Sequence, residues 1–356
     1  VGFKFERKRK TFVMSPVRTI KRPANLEDAA FWPVGHLAEL LRTKQVTSEE
    51  LTNMYLGRLK KYGSKLECVV TLTESLAIAQ AKRADRDIKA GKYRGPLHGI
   101  PYGAKDLLSV RSYRTTWGSV PYKEQVIDED ATVIKNLAAA GAVLVAKLTL
   151  GELAWGDVWF GGMTRNPWNY KQGSSGSSAG SASATAAGLV GFAIGSETWG
   201  SIVSPSTRCG TTSLRPTFGR VSRAGAMALS WSMDKLGPIC RTAEDCAIVL
   251  KAIAGPDGID QTVYDVPFNY SPAMTLKNVR FGFLKMEFDS ARSNKELNNE
   301  VLNVLRKLGA NLIPVELPPR YPVNSLAFIL SAEAGAAFDE LTRSGRDDLL
   351  VRQIKN

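Results

Sequence analysis

Between Ser178 and Gly188 the chain reads SAGSASATAAG, eleven positions without a side chain larger than threonine. Such a run has few structural options. Alanine is the best helix former, and a helix with no bulk on any face can approach its neighbours closely. A flexible Gly/Ser tether is the competing reading of a serine-rich stretch. The alanines, and the apolar run LVGFAIG that follows at 189–195, favour a packed helix leading into a strand. The helix is expected to begin near Ser178. Its free N–H groups and favourable dipole end would then face the preceding loop, Gly173 to Ser177 (GSSGS).

That loop offers several serines as nucleophiles. Gly176-Ser177-Ser178-Ala179-Gly180 fits the G-x-S-x-G elbow, which would select Ser178. The elbow motif places its histidine after the serine, whereas the chain has only His36 and His98, both upstream. The ordinary triad order is therefore excluded, although other folds use other orders. His98, in the Gly/Pro-rich GPLHGIPYGAKD, reads as a structural imidazole bonded to local backbone. A group other than histidine is expected to take the proton in any serine chemistry here. No Gly-Lys-Ser/Thr follows the loop, which excludes a Walker A phosphate site.

Composition narrows the remaining classes. The chain has 356 residues, 44% of them hydrophobic, enough for a large core. The net charge of +13 resembles a nucleic-acid signature until it is located. Residues 1–25 hold eight basic side chains (Lys4, Arg7, Lys8, Arg9, Lys10, Arg18, Lys21, Arg22) against Glu6 alone. A terminal basic arm can touch phosphates or anionic lipid, but is more often a solvated strap. The body of the chain shows no basic recognition helix, so nucleic acid is not the expected partner. Cys68, Cys209, Cys240 and Cys246 form no C-x-x-C pair, and two histidines give no zinc spacing, so reduced thiols and no metal are expected. No apolar run reaches the length of a membrane span and no signal-peptide pattern opens the chain. A cytoplasmic setting is the weak preference, with no compartment fixed. The opening at Val1 rather than methionine suggests a processed or truncated product.

Along the chain, Thr47-Ser48-Glu49-Glu50 reads as a capping box before an apolar stripe of Leu51, Met54, Tyr55 and Leu59. Strands are expected at 142–147, in the run 189–195 and at 279–286. A helix is expected to end at Gly255, and helix then strand over 298–317. This alternation predicts an α/β fold: one large mixed, mostly parallel β-sheet with helices on both faces. The domain organisation expected is a basic arm over 1–25 and a single domain over 26–356.

Three elements in order now carry a resemblance. The stretch GSSGSSAGSA, the later GSETWGSI and the upstream LHGIPYGAKD resemble the amidase signature family, whose usual forms are G-G-S-S-G-G-S-A, T-D-T-G-G-S and L-x-G-I-P-x-x-x-K-D. The segment from Ser206 to Leu250 is also similar to the family, and the likeness runs over roughly residues 30 to 320. It is nearest in flavour to the A subunit of glutamyl-tRNA amidotransferase and related amidases. The resemblance implies that Ser201 is the acylated serine, that the serine 24 positions earlier, Ser177, is its relay partner after a cis peptide bond, and that Lys105 is the base. It further implies backbone N–H groups of Thr198, Trp199, Gly200 and Ser201 as oxyanion donors, with Trp199 standing where glycine is usual. Trp155, Trp159 and Phe160 occupy the segment that lines the acyl pocket in relatives, which suggests apolar or aryl acyl groups. Val203 replaces an arginine common in the family and disfavours anionic substrates. Family chains usually continue past the equivalent of Asn356, so part of the family domain is expected to lie outside this sequence.

The chemistry suits these residue types. A serine hydroxyl is a weak nucleophile until a base takes its proton, and a lysine can be that base only when neutral. Burial depresses a lysine pKa by up to about 3–5 units, which is enough. The expected function is hydrolysis of a small-molecule carboxylic amide without metal or organic cofactor. A glutamine-hydrolysing subunit of a tRNA-dependent amidotransferase is the alternative within this chemistry. A catalytically inactive binding protein using the basic arm is the alternative outside it. The sequence leaves the oligomeric state open, with a homodimer allowed.

Overall fold

The computed structural model describes residues 12–17, 20–273, 275–277, 279–290, 294–318 and 323–351. These divide into two compact units, one taking in Pro16–Asn269 and the stretch from Leu330 onward, the other Tyr270–Ile329 with the strap that ends at Ser15.

In the first unit α1 (Val34–Arg42) and α2 (Ser48–Leu66) precede β1 (Val69–Leu72) and α3 (Glu74–Lys89). There follow β2 (Pro101–Lys105), α4 (Thr132–Ala139), β3 (Val143–Leu148), α5 (Ala179–Ala186) and β4 (Phe192–Glu197). The unit continues with α6 (Val203–Cys209), β5 (Thr212–Ser213), β6 (Lys235–Cys240) and α7 (Ala243–Ile253). The capping box is present: the Thr47 hydroxyl accepts from Glu50 N–H and the Glu50 carboxylate from Thr47 N–H, so both orphan donors at the start of α2 are satisfied.

The sheet order is β1-β3-β2-β4-β6-β5. Strands β3, β2 and β4 are parallel to one another, while β1 and β6 run against them. Because β5 is antiparallel to β6, four of the six strands point the same way. Residues of α2, α3, β3 and α5 share one core cluster, including Leu56, Leu59, Ala77, Val145 and Ala184. Helices α4 and α7 pack together, and α7 covers β6. No helix among the described residues is long and apolar enough to cross a membrane.

Helix α5 meets the expectation drawn from its small residues. At Gly180 an added Cβ would come within 2.5 Å of Cys68 O and Thr149 N, so only glycine permits this approach of helix to strand ends. Its buried serines lose no hydrogen bond: Ser181 Oγ donates to Ile194 O at 3.0 Å and Ser183 Oγ to Arg165 O at 2.8 Å. Both bonds replace the water that a buried hydroxyl would otherwise miss.

The second unit holds the parallel pair β7 (Arg280–Leu284) and β8 (Asn311–Val315), joined through α8 (Lys295–Lys307). Of the basic arm, Lys4, Arg7, Lys8, Arg9, Lys10 and Arg18 lie outside the described residues. Arg22 is described and pairs with Glu50 at 2.9 Å.

Candidate active site

Adjacent parallel strands β2 and β4 end side by side, and the candidate residues gather at those carboxyl ends, where open α/β sheets present ligands. Lys105 is the last residue of β2 and is fully buried. Its Nζ lies 2.8 Å from Ser177 Oγ, 3.1 Å from Ser178 Oγ, 2.9 Å from Ser196 Oγ and 3.4 Å from Ser196 O. These partners are hydroxyl and carbonyl oxygens, none of them a carboxylate. Burial therefore pushes the Lys105 pKa from 10.5 to about 7, against the weaker pull of the Asp234 and Glu197 charges.

Ser177 enters the site after a cis Gly176–Ser177 peptide. Any Cβ at position 176 would sit 1.7 Å from Gly156 O, so the loop backbone packs as only glycine allows. Ser178 is buried and committed: Ser178 Oγ donates to Ser196 O at 3.0 Å and accepts Ser196 N–H at 3.1 Å. An exposed elbow nucleophile would look different. Ser178 is instead the tie between α5 and β4.

Ser201 lies in the turn after β4, half-buried, and joins the serine loop through its backbone, Ser178 N–H donating to Ser201 O at 3.0 Å. Among the described residues no protein acceptor faces the N–H groups of Trp199, Gly200 and Ser201. The turn is held at its end by Glu197, a buried carboxylate whose Oε2 accepts Ile202 N–H at 2.8 Å and Val203 N–H at 2.9 Å. Trp199 is exposed, so its indole does not fill the core.

Beside Ser196 opens a cleft of about 260 Å³. Leu107, Met227, Leu229, Trp231, Leu236 and Ile259 supply most of its apolar lining, with Ser196, Thr198, Asp234 and the Arg223–Asp260 ion pair as its polar and charged residues. Trp155, Trp159 and Phe160, the lining expected from the sequence, are not among these residues. Trp155 points to solvent, while Trp159 is buried edge-on against Phe160. Their neighbour Ala154 reaches the cleft instead. His98 plays the structural part expected of it: it is buried, stacks on Tyr93, and its Nδ1 accepts Arg94 N–H at 3.1 Å. Among the described residues no group of His, Cys, Asp or Glu side chains is arranged to hold a metal ion.

Sequence reasoning missed Ser196, Asp234 and the cleft segment 226–231. Ser196 stands in the quoted GSETWGSI, but nothing in its identity announces a contact to a lysine 91 positions upstream.

Comparison with known proteins decides the family, since the model for "Amidase" matches residues 50–354. The chain belongs to the amidase family. Among its curated amidase-family relatives, the A subunit of glutamyl-tRNA(Gln) amidotransferase from Geobacillus kaustophilus is 40% identical over 314 residues, 85% of this chain and 64% of the relative. Its counterpart from Pseudomonas syringae pv. syringae is 39% identical, again over 85% and 64%. The chain thus spans just under two thirds of the length of these relatives. Among solved structures, native peptide amidase from Stenotrophomonas maltophilia superposes with a TM-score of 0.81 at 32% identity, covering 91% of this chain and 74% of that one. A peptide amidase bound to the competitive inhibitor chymostatin gives 0.80 at 33% identity, over 90% and 69%.

Proposed function

We propose that the protein hydrolyses carboxylic amide C–N bonds through an acyl-enzyme on Ser201, with Ser177 as proton relay and Lys105 as base. The observation that carries this reading is the wholly buried Lys105, bonded only to neutral oxygens and 2.8 Å from Ser177 Oγ. A neutral amine has a lone pair to accept the Ser177 proton, whereas an ammonium has none. Its pKa near 7 places that neutral form within reach at physiological pH.

Ser201 Oγ attacks the amide carbon and its proton passes to Ser177 Oγ as the Ser177 proton moves to Lys105 Nζ. The carbonyl π electrons shift to oxygen, and the unpaired N–H groups of Trp199, Gly200 and Ser201 stabilise that oxyanion. The C–N bond then breaks, and the departing nitrogen takes the proton back along the same relay. Water, deprotonated in turn by the relay, attacks the ester and releases the acid and Ser201. Each oxyanion donor contributes about 10²–10³ in rate.

The apolar lining of the cleft supports a neutral alkyl or aryl acyl group, each Å² of apolar area buried contributing about 25 cal/mol. Trp231, exposed at its edge, takes the selecting part expected of Trp155, Trp159 and Phe160. The amidotransferase relatives support the second reading, a glutamine-hydrolysing subunit that works with a partner. The inactive-binder reading has less support, because Lys105 and Ser177 are assembled at hydrogen-bond distance. Side-by-side kcat/KM on an aryl amide and on glutamine tests the choice. Efficient glutaminase activity with weak aryl-amide turnover would overturn the amidase reading. A fluorophosphonate is expected to label Ser201, and labelling of Ser178 would overturn the assignment of the nucleophile.

A further inference from the structure

The run Thr198–Ser201 has no regular secondary structure, yet the proposed chemistry asks it to hold three N–H groups steady. Catalysis by such donors depends on their being fixed before charge develops. Glu197 secures the far end of the run through Ile202 and Val203, as described above. At the near end Asp234, just before β6, and Lys235, its first residue, both bond to Thr198. Thr198 Oγ1 donates to Asp234 Oδ1 at 2.5 Å, and Lys235 Nζ donates to Thr198 O at 2.9 Å.

Each gripping group is itself anchored. Asp234 is buried and its second oxygen accepts Leu229 N–H at 2.8 Å and Ser230 N–H at 3.0 Å, so the carboxylate cannot swing away without stranding two donors. Lys235 is paired with Glu197 in the β4–β6 register, which places its stem directly across from the residue before Thr198. One threonine is therefore held by side chain and by carbonyl at once, which fixes the plane of the Thr198–Trp199 peptide. That grip matters more in this chain because Trp199, not glycine, follows.

We propose that Asp234 and Lys235 are positioning residues for acyl transfer, clamping Thr198 so that the N–H groups of Trp199 to Ser201 stay aimed at the oxyanion. This rests on Ser201 being the nucleophile. Neither residue touches the reacting atoms in the proposed mechanism. A misplacement near 1 Å costs about 100-fold in rate, and that sets the effect expected from loosening the clamp.

The test uses the whole chain and reads both fluorophosphonate labelling of Ser201 and amide turnover. Thr198→Val removes the hydroxyl at nearly constant shape, and it is expected to lower kcat and the labelling rate by about 100-fold with KM little changed. Thr198→Ser returns the hydroxyl and is expected to recover most of the loss, which a mere packing role for the threonine methyl would not predict. Lys235→Met is expected to lower kcat in the same manner. Asp234→Asn carries a second signature. Asp234 and Glu197 are the charges that hold the Lys105 pKa up, Glu197 being itself 3.6 Å from Arg215. Removing the Asp234 charge should move the acid limb of the kcat/KM profile to lower pH, while Thr198→Val leaves that limb in place. Wild-type chain labelled at Ser201 with Thr198→Val and Lys235→Met labelled just as fast would overturn the clamp alone. Wild-type chain that is not labelled at Ser201 would overturn both the clamp and the mechanism it serves. The Thr198 pair decides the matter even if Asp234→Asn does not fold.

Discussion

Two buried lysines sit on neighbouring parallel strands and have opposite surroundings. Lys105 ends β2, and Lys147 lies one position before the end of β3, with Ala104 rather than Lys105 as its register partner. The two side chains thus leave the sheet on opposite faces. Lys147 Nζ lies 2.6 Å from Asp106, with both side chains fully buried, and donates to Arg114 O and Thr115 Oγ1, each at 2.8 Å. Lys105 has only hydroxyls and a carbonyl. Burial pushes both amines down; at Lys147 the Asp106 carboxylate resists the shift. At Lys105 the only opposing charges among the described residues, Asp234 and Glu197, are not in contact with it. What separates a structural lysine from a proposed base is therefore not depth but the partner within reach.

Variants of each lysine can break that contrast. Lys105→Met is expected to lower kcat by several orders of magnitude while the chain stays folded, because it removes a base and leaves no buried charge unpaired. Its double variant with Ser177→Ala should cost far less than the product of the singles, read in the same assay. A Lys105→Met chain with near wild-type turnover would end the comparison. At the second lysine the effect should appear in stability. Asp106→Asn or Lys147→Met strands the partner, and chemical denaturation is expected to show a loss of about 3–5 kcal/mol.

The comparison sharpens with pH. On the proposed mechanism kcat/KM rises as pH passes about 7, the value at which Lys105 gives up its proton. Stability follows a linked course. Between about 7 and the ordinary 10.5 the unfolded chain still binds a proton that the folded one has released. Folding therefore gains from rising pH across that window, and the penalty of burying Lys105 is fully present below it. Denaturation at pH 7 and pH 9 is expected to show wild type gaining on Lys105→Met, and an unchanged difference would contradict the neutral base. The smallest effect belongs to Ser178→Ala, which strands Ser196 N–H and is expected to cost about 1–3 kcal/mol. Ser201 labelling should persist in that variant.

Much of this was legible in the residues. The strand expected at 142–147 is found at Val143–Leu148, and the helix expected to end at Gly255 ends at Ile253. The strand read from the run 189–195 begins only at Phe192, because Gly188, at φ 66°, turns the chain and Leu189 and Val190 finish filling the core first. Strand β2 was invisible by pattern: PYGAK has neither alternation nor a branched apolar run, and its glycine admits Leu148 where a Cβ would stand 2.3 Å from that side chain. Strand β6 was equally hidden, since Gly237 and Pro238 sit inside it and proline ordinarily argues against an inner strand. The family resemblance could point to Ser177 over its neighbours, but it could not bring Asp234 and Lys235 to Thr198. That meeting depends on sheet order, which no local sequence signal encodes.

The placement of the cleft has one more consequence. Lys105 and Ser196 belong to the sheet itself, and Ser177 and Ser178 to the lip of a helix fitted against it. On the proposed function, much of the wall that would meet the acyl group comes from turns, at 226–231 and at 259–260. Substitution there leaves every hydrogen bond of Lys105 in place. On the proposed mechanism, change in that wall would alter the choice of substrate while the proton relay stands still.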